Sequence, residues 1–186
     1  MLLVGQYWHP LFPAESFPGT LSFNTGAPFN PFSRNPQVSL TRMLGKIGLI
    51  VTAYSQRDFV STGPEGGNNK YMKNSGIPGA NIHFRIPAGE MFTVWAGLDY
   101  KTLKPELKTT ANFKTNSTIG SYSAFANMKI QTKPVNMSVM GGYAQNGTDL
   151  VMIGGYAVSE IRDTVSMLKT YTNINTTSFW ADITTR

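Results

Sequence analysis

The alternation of apolar and polar side chains over residues 80–101 constrains the fold more than any other feature of the sequence. Apolar side chains occupy every second position of two short segments, and polar or charged side chains lie between them. A two-residue period is that of a β-strand, in which successive side chains point to opposite faces. The residues PAGE (87–90) supply turn chemistry between the segments, so an antiparallel hairpin with one apolar face is predicted. The apolar positions are Ala80, Ile82, Phe84, Ile86, Phe92, Val94, Ala96, Leu98 and Tyr100.

Such a hairpin fits two environments, one between a protein core and water, the other between lipid and a water-filled lumen. Charged residues make up only 14% of the chain, against about 25% in an average soluble domain. Thr, Ser, Asn and Gly take their place, which is the mixture that a transmembrane barrel uses. No window approaches the roughly 18 consecutive apolar residues of a membrane helix, so a helical membrane protein is excluded.

Further strands are predicted on both sides of this hairpin. Their connections alternate between long and short, as they do in outer-membrane barrels, where the turns at one end are tight and the loops at the other end are long. The turn QNGTD (145–149) breaks the alternation, because it is short where a long loop is due. Only residues 159–169 have any helical character. The other predicted strands are residues 1–6, 37–44, 47–57, 121–131, 137–144, 150–158 and 178–185.

Charge and composition exclude several classes of function. The net charge of +6 is spread thinly, without the Lys/Arg clusters of nucleic-acid-binding proteins. The absence of cysteine excludes a disulfide scaffold, a thiolate metal site and a cysteine nucleophile. The two histidines, His9 and His83, belong to no catalytic motif, so neither an enzyme nor a cofactor is expected.

Three short motifs carry a resemblance to a known family. They are GQYWHPLFP (5–13), NPFSRNPQ (30–37) and TSFWADITT (177–185). They resemble the porin-like channel proteins of Gram-negative bacteria, in which a strand ending in Gly-Gln opens into a long aromatic loop. The resemblance implies an all-β, antiparallel up-and-down transmembrane β-barrel of roughly 16 to 18 strands, often a homotrimer, that passes small hydrophilic solutes.

The chain departs from that family in three ways. It supplies only about eight strands, it begins without the basic and apolar segments of a signal peptide, and it ends without a terminal aromatic residue. Residues 1–186 are therefore expected to be a single barrel domain, truncated at both ends, from a larger protein. The resemblance locates that protein in the outer membrane of a Gram-negative bacterium, in contact with lipid.

Charged residues on the predicted polar faces are candidates for lining a pore. Fixed charges along a wide channel bias permeation toward one sign of ion, and the excess of Lys and Arg predicts a mild preference for anions. The alternative is that the same side chains form the solvent face of an ordinary antiparallel sheet. The candidates are His83, Arg85, Asp99, Lys101, Lys129 and Lys133.

The long loop over residues 7–36 contains six prolines and many aromatic residues. Its prolines forbid a helix or a central strand, but its aromatic residues indicate that it packs against something. It is predicted to constrict or cap the barrel, or to contact a neighbouring subunit. Its candidate residues are Tyr7, Trp8, Phe12, Phe29, Phe32 and Arg34.

A soluble or secreted β-sandwich that binds carbohydrate is the alternative to a channel. Exposed aromatic side chains such as Trp8 and Trp180 would then bind the sugar. The two hypotheses differ in an observable way, because a barrel exposes a lipid-facing apolar band while a sandwich buries its apolar faces between two sheets.

Overall fold

The computed structural model describes residues 1–21 and 23–185, and in these residues it is almost entirely β-structure. One short helix, α1 (Lys70–Ser75), and one 3-10 turn (Gly147–Leu150) interrupt the strands. No helix in the described part of the chain is long and apolar enough to cross a membrane. The strands are β1 (Leu2–Trp8), β2 (Arg34–Leu44), β3 (Ile47–Tyr54), β4 (Thr62–Gly63), β5 (Gly66–Gly67), β6 (Gly79–Ala88), β7 (Phe92–Leu103), β8 (Ile119–Gln131), β9 (Val135–Gln145), β10 (Gly155–Asp163) and β11 (Leu168–Thr185).

Nine of these strands form one antiparallel sheet in the order β1-β2-β3-β6-β7-β8-β9-β11-β10, while β4 and β5 form a separate ribbon. The predicted all-β, antiparallel fold class is therefore confirmed. The hairpin predicted over residues 80–101 is present as β6 and β7, with Ile82 opposite Leu98. The sheet is not closed on itself, and β1 forms one of its edges.

The chain does not reverse direction at residues 145–149, so the predicted turn is wrong. Strands β9 and β10 both pair antiparallel with β11, and they therefore run in the same direction. The first pairs with residues 175–185 and the second with residues 168–174. Asn146 and Val151 flank the 3-10 turn in left-handed conformations, with φ of 51° and 56°. The NGTD sequence thus forms an excursion within one interrupted strand, because the long strand β11 holds both parts in line.

This correction does not restore the alternation of long and short connections, because the connection from β10 to β11 comprises only residues 164–167 where a long loop is due. The residues predicted as loop or weak helix after residue 158 instead continue β10 and begin β11. Counting β9 and β10 as one interrupted strand, the sheet is an eight-stranded meander. Three short turns, at residues 45–46, 89–91 and 132–134, lie at one end, called here the short-turn end, whereas the turn at residues 164–167 lies at the other. The opposite end is called the long-loop end.

The polarity of the sheet is the reverse of that in a soluble protein. Alternate residues that face the loops, on what is called here the inner face, are polar and buried. Residues on the opposite, outer face are apolar and exposed, with Leu98 58% and Phe179 68% exposed. Buried polar residues of the inner face are Asn35, Gln37, Ser39, Thr52, Asn81, His83, Asp99, Lys101, Ser121, Ser123, Asn127, Ser138 and Ser178. Further exposed apolar residues of the outer face are Val38, Leu40, Val51, Ile82, Tyr100, Tyr122 and Ile183.

An apolar cluster packs the connections of the long-loop end onto the inner face. No strand or helix is predicted between residues 57 and 80, but this segment contains α1, which ends at Gly76 in a left-handed conformation. Gly residues adopt this conformation without the steric cost that a Cβ imposes. The helix contributes two side chains to the cluster. Its members are Tyr54, Tyr71, Met72, Leu103, Ile119 and Tyr156.

The Val151→Gly variant tests the excursion between β9 and β10. A β-branched residue in the left-handed region costs about 1 to 2 kcal/mol, which exceeds the roughly 0.5 to 1 kcal/mol entropic cost of glycine. The variant is therefore expected to raise the free energy of unfolding by about 0.5 kcal/mol or more. Val139→Gly, within β9, is the matched control and should lower it. Equal destabilisation by both variants in equilibrium unfolding would contradict the strained excursion.

Candidate functional site

The connection between β1 and β2 folds onto the inner face of the sheet. This connection, called here the inner segment, comprises residues 9–21 and 23–33. The His83 Nδ1–H donates a 2.6 Å hydrogen bond to the carbonyl oxygen of Pro10. At the other side of the sheet, the Trp180 indole N–H donates to the Asn30 side-chain oxygen at 3.1 Å. The inner segment therefore crosses the inner face from β6 to β11.

An aromatic cluster fixes the start of the inner segment and brings four of the predicted loop residues together. The ring centroid of Trp8 lies 4.7 Å from that of Phe12 and 5.2 Å from that of Phe32. The guanidinium of Arg34 lies over Trp8 at 5.2 Å. These contacts explain why so proline-rich a loop carries aromatic residues. The two remaining predicted loop residues are exposed: Tyr7 and Phe29.

Gly97, on the inner face of β7, allows the inner segment to pack closely against the sheet. Leu11 is buried against Phe125, Met140 and Trp180 of the strands beneath it. A Cβ at Gly97 would lie only 2.8 Å from Leu11 Cδ2, which is closer than real Cβ contacts come. The absence of a side chain at residue 97 therefore provides the space that Leu11 occupies.

Five of the six predicted pore-lining residues lie on the inner face, whereas Lys133 is exposed in the turn between β8 and β9. Their surroundings differ. His83, Asp99 and Lys101 are buried beneath the connections. Arg85 and Lys129 lie nearer the short-turn end and are partly exposed. Arg85 and His83 line the same cavity, and Lys129 lines another.

The carboxylate of Asp99 is compensated by three side chains. Tyr54 Oη donates a hydrogen bond to it at 2.7 Å, and Asn81 Nδ2 donates at 3.3 Å. His9 Nε2 lies 3.3 Å from its second oxygen. His9 Nδ1 accepts a 3.2 Å hydrogen bond from the amide N–H of Leu11, so Nε2 is the ring nitrogen on the side of the carboxylate. This buried network binds the inner segment to the inner face of the sheet.

The charge of Lys101 is compensated by a side chain from a different connection, the one between β9 and β10. Its ammonium donates to the carboxylate of Asp149 and, at 2.6 Å, to the carbonyl of Asn146. Both side chains of the ion pair are 2% exposed. The other oxygen of Asp149 accepts a 2.9 Å hydrogen bond from Gln56. The 3-10 turn between β9 and β10 thus serves to place a carboxylate on the inner face.

Arg85 and Lys129 both contact Glu15 of the inner segment. Arg85 Nη2 lies 3.2 Å from the Glu15 carboxylate, and Lys129 Nζ donates to the Glu15 carbonyl at 2.7 Å. The side chains of Arg85 and Glu15 are 42% and 60% exposed, so this ion pair contributes only about 0.2 to 1 kcal/mol. Its contribution is to position the inner segment rather than to stabilise the fold.

The sequence analysis did not identify Glu15, Gln56 or Asp149 as site residues. Asp149 lies in a segment that reads as an exposed turn, and no local pattern indicates that it is buried. The only available signal was the charge balance, since each cation on a covered polar face requires an acceptor. The charge balance does not identify which acidic residue supplies that acceptor.

Residues Ala14 and Glu15 separate two cavities on the inner face. One, of about 360 Å³, is lined by aromatic side chains, including Trp8 and Trp95. The other, of about 250 Å³, lies toward β11 and is lined mainly by polar side chains. Among the described residues, no group of three or more His, Cys, Asp or Glu side chains could hold a metal ion.

No protein-family model matches the chain, and comparisons with curated proteins and with solved structures find no significant match. The function is therefore inferred from the contacts, the cavities and the distribution of polarity described above.

The buried Lys101–Asp149 ion pair is tested by removing one partner. Lys101→Met leaves a buried carboxylate without its counter-charge, which is expected to lower the free energy of unfolding by about 3 to 5 kcal/mol. Lys101→Met combined with Asp149→Leu should recover most of that loss, because neither charge then remains.

The exposed ion pair between Lys70 and Glu65 provides the matched control. Their nitrogen and oxygen atoms lie 2.9 Å apart, and the hydrogen bond from Lys70 lowers the pKa of Glu65. Because both side chains are about half exposed, Lys70→Met should cost no more than about 1 kcal/mol. Equilibrium unfolding that gives the same cost for Lys70→Met and Lys101→Met would contradict the buried network.

Proposed function

We propose that this chain forms part of an outer-membrane, porin-like β-barrel through which small hydrophilic solutes diffuse passively. The reversed polarity of the sheet is the observation that carries the proposal. In water, an apolar face as extensive as the outer face would be an unstable surface and would drive association. Against lipid the same face is stabilising, and the polar inner face belongs to a lumen.

The direction of the two outermost strands of the meander also supports a barrel. Strand β1 runs toward the long-loop end, whereas residues 175–185 of β11 run toward the short-turn end. In the described part of the chain, neither of these two segments has a hydrogen-bonded neighbour at the edge that faces away from the rest of the sheet. Further antiparallel strands can therefore pair at both edges, as closure into an up-and-down barrel with an even number of strands requires.

The inner segment acts in this proposal as a constriction. It occupies the inner face rather than projecting from the sheet, and its contacts with β6, β8 and β11 hold it there. The charges of the Lys, Arg, Asp and Glu side chains that border the two cavities, Arg85, Lys129, Glu15 and Asp182, sum to zero. The proposed mild preference for anions therefore rests on the net charge of +6 of the whole chain. A homotrimer in the outer membrane of a Gram-negative bacterium remains the proposed assembly and location.

A soluble β-sandwich that binds carbohydrate is less compatible with these observations. Within residues 1–21 and 23–185, no second sheet of comparable size packs against the nine-stranded sheet. Trp180 is 9% exposed and its N–H is used by Asn30, and Trp8 is covered by Phe12 and Arg34. Neither indole offers the open flat surface that stacking on a sugar ring requires.

Reconstitution into lipid vesicles tests the channel. We expect the chain to insert, to migrate differently on a gel before and after boiling, and to release small hydrophilic solutes from the vesicles. The Leu98→Arg variant, at the middle of the outer face of β7, should cost about 2 to 4 kcal/mol and lower the inserted fraction.

Phe92→Arg is the matched control, since it lies on the same face of the same strand at the short-turn end. Near an interface the same change costs only about 0 to 1 kcal/mol. Equal insertion of the two variants would contradict a lipid-facing outer face. Inserted protein that releases no solute would contradict the channel while leaving the barrel in place.

A further inference from the structure

The smaller of the two cavities has the character of a binding site. It lies between the inner segment and the inner faces of β8, β9 and β11, toward the short-turn end, and measures about 250 Å³. Apart from Ala14 and Phe17 its lining is polar and includes hydroxyl, amide and charged groups. The polar lining residues are Glu15, Ser16, Lys129, Gln131, Asn136, Ser138, Asp182 and Thr184.

Lys129 and Asp182, of opposite charge, face each other across this cavity, and the third charged lining residue, Glu15, is paired with Arg85. Lys129 pairs with Ser138 on the next strand, and Ser138 pairs with Asp182 on the strand after that. Because neighbouring strands lie about 4.8 Å apart, the backbones at Lys129 and Asp182 are separated by about 10 Å. Neither side chain forms an ion pair with any residue in the part of the chain that the structure describes.

The polar groups between these charges leave binding capacity. Lys129 uses one of its three N–H donors on the Glu15 carbonyl, at 2.7 Å. The side-chain oxygen of Asn136 is buried and has no hydrogen-bond partner among the described residues. Buried acceptors are normally satisfied, so an unsatisfied one beside a cavity indicates a missing donor.

A zwitterion is the solute class that matches this arrangement. Its carboxylate and ammonium lie a few Å apart, and a charge-assisted hydrogen bond of about 2.8 Å at each end spans the remaining distance. A simple anion would satisfy Lys129 but would be repelled by Asp182, and a simple cation would meet the reverse problem. A neutral polyol would leave both charges unmatched.

We propose that this cavity is a subsite for zwitterionic solutes of the α-amino-acid class. Lys129 binds the solute carboxylate, Asp182 binds the ammonium, and the Asn136 oxygen accepts a further N–H. The inference rests on the proposed function, since it assigns a solute class to the same inner face. It places the subsite beside the constriction, on its short-turn side.

Titration of the detergent-solubilised protein with glycine, followed by ligand-observed NMR, tests the proposal. Glycolate, which lacks the ammonium, and methylamine, which lacks the carboxylate, are the comparison ligands and should bind at least tenfold more weakly. Lys129→Gln and Asp182→Asn should each weaken glycine binding about tenfold, as the loss of one charge-assisted hydrogen bond implies. Lys133→Gln, in the exposed turn, is the matched control and should leave binding unchanged.

Exchange of the two charges makes the test sharper. Lys129→Asp alone should abolish glycine binding, whereas Lys129→Asp combined with Asp182→Lys should restore it, because the zwitterion binds in the opposite orientation. Circular dichroism and the boiling shift establish that each variant is folded. Glycolate binding as tightly as glycine, or no recovery in the folded double variant, would overturn the proposal.

These outcomes are separable from those of the channel experiment. A chain that inserts and releases solutes but binds glycine no better than glycolate refutes the subsite alone. A chain that fails to insert refutes the proposed channel, and the glycine titration in detergent still gives its own result.

Discussion

Polar and charged side chains on a covered sheet face must find partners, because an uncompensated buried charge costs several kcal/mol. This requirement organises the connections of the chain. Asp99 contacts His9, at the start of the inner segment. Lys101 pairs with Asp149, in the turn between β9 and β10. The long connections are therefore held by polar and charged contacts with the inner face as well as by apolar packing.

The apolar character of the outer face follows from the polar character of the inner face. A strand with a period of two can present only one face to a polar interior, so its apolar residues, such as Leu98 and Phe179, point away from the connections. The proposed lipid environment gives them a solvent that matches them. The same alternation thus accounts for the buried polar network, the exposed apolar band and the position of Arg85 and Lys129 beside the two cavities.

The sequence predicted most of the sheet because alternation and turn chemistry are local properties. The β6–β7 hairpin, the turn at Gly45 and Lys46, and the placement of Asp99 and Lys101 on one face all follow from neighbouring residues. Direction and partner choice are not local. The segment after Asn146 was predicted to reverse, but its pairing is decided by the distant strand β11, and for the same reason Asp149 could not be recognised as the counter-charge of Lys101.

Collision accessibility of spin labels in lipid vesicles would test the lipid-facing outer face most directly. The chain has no cysteine, so single labels can be placed without removing native residues. Labels at Ala96, Leu98 and Ala126, on the outer face, are predicted to collide with dissolved oxygen more than with a water-soluble nickel chelate, and labels at Thr93 and Gln131 are predicted to show the reverse. Equal access of the nickel chelate to both sets of labels would contradict the account.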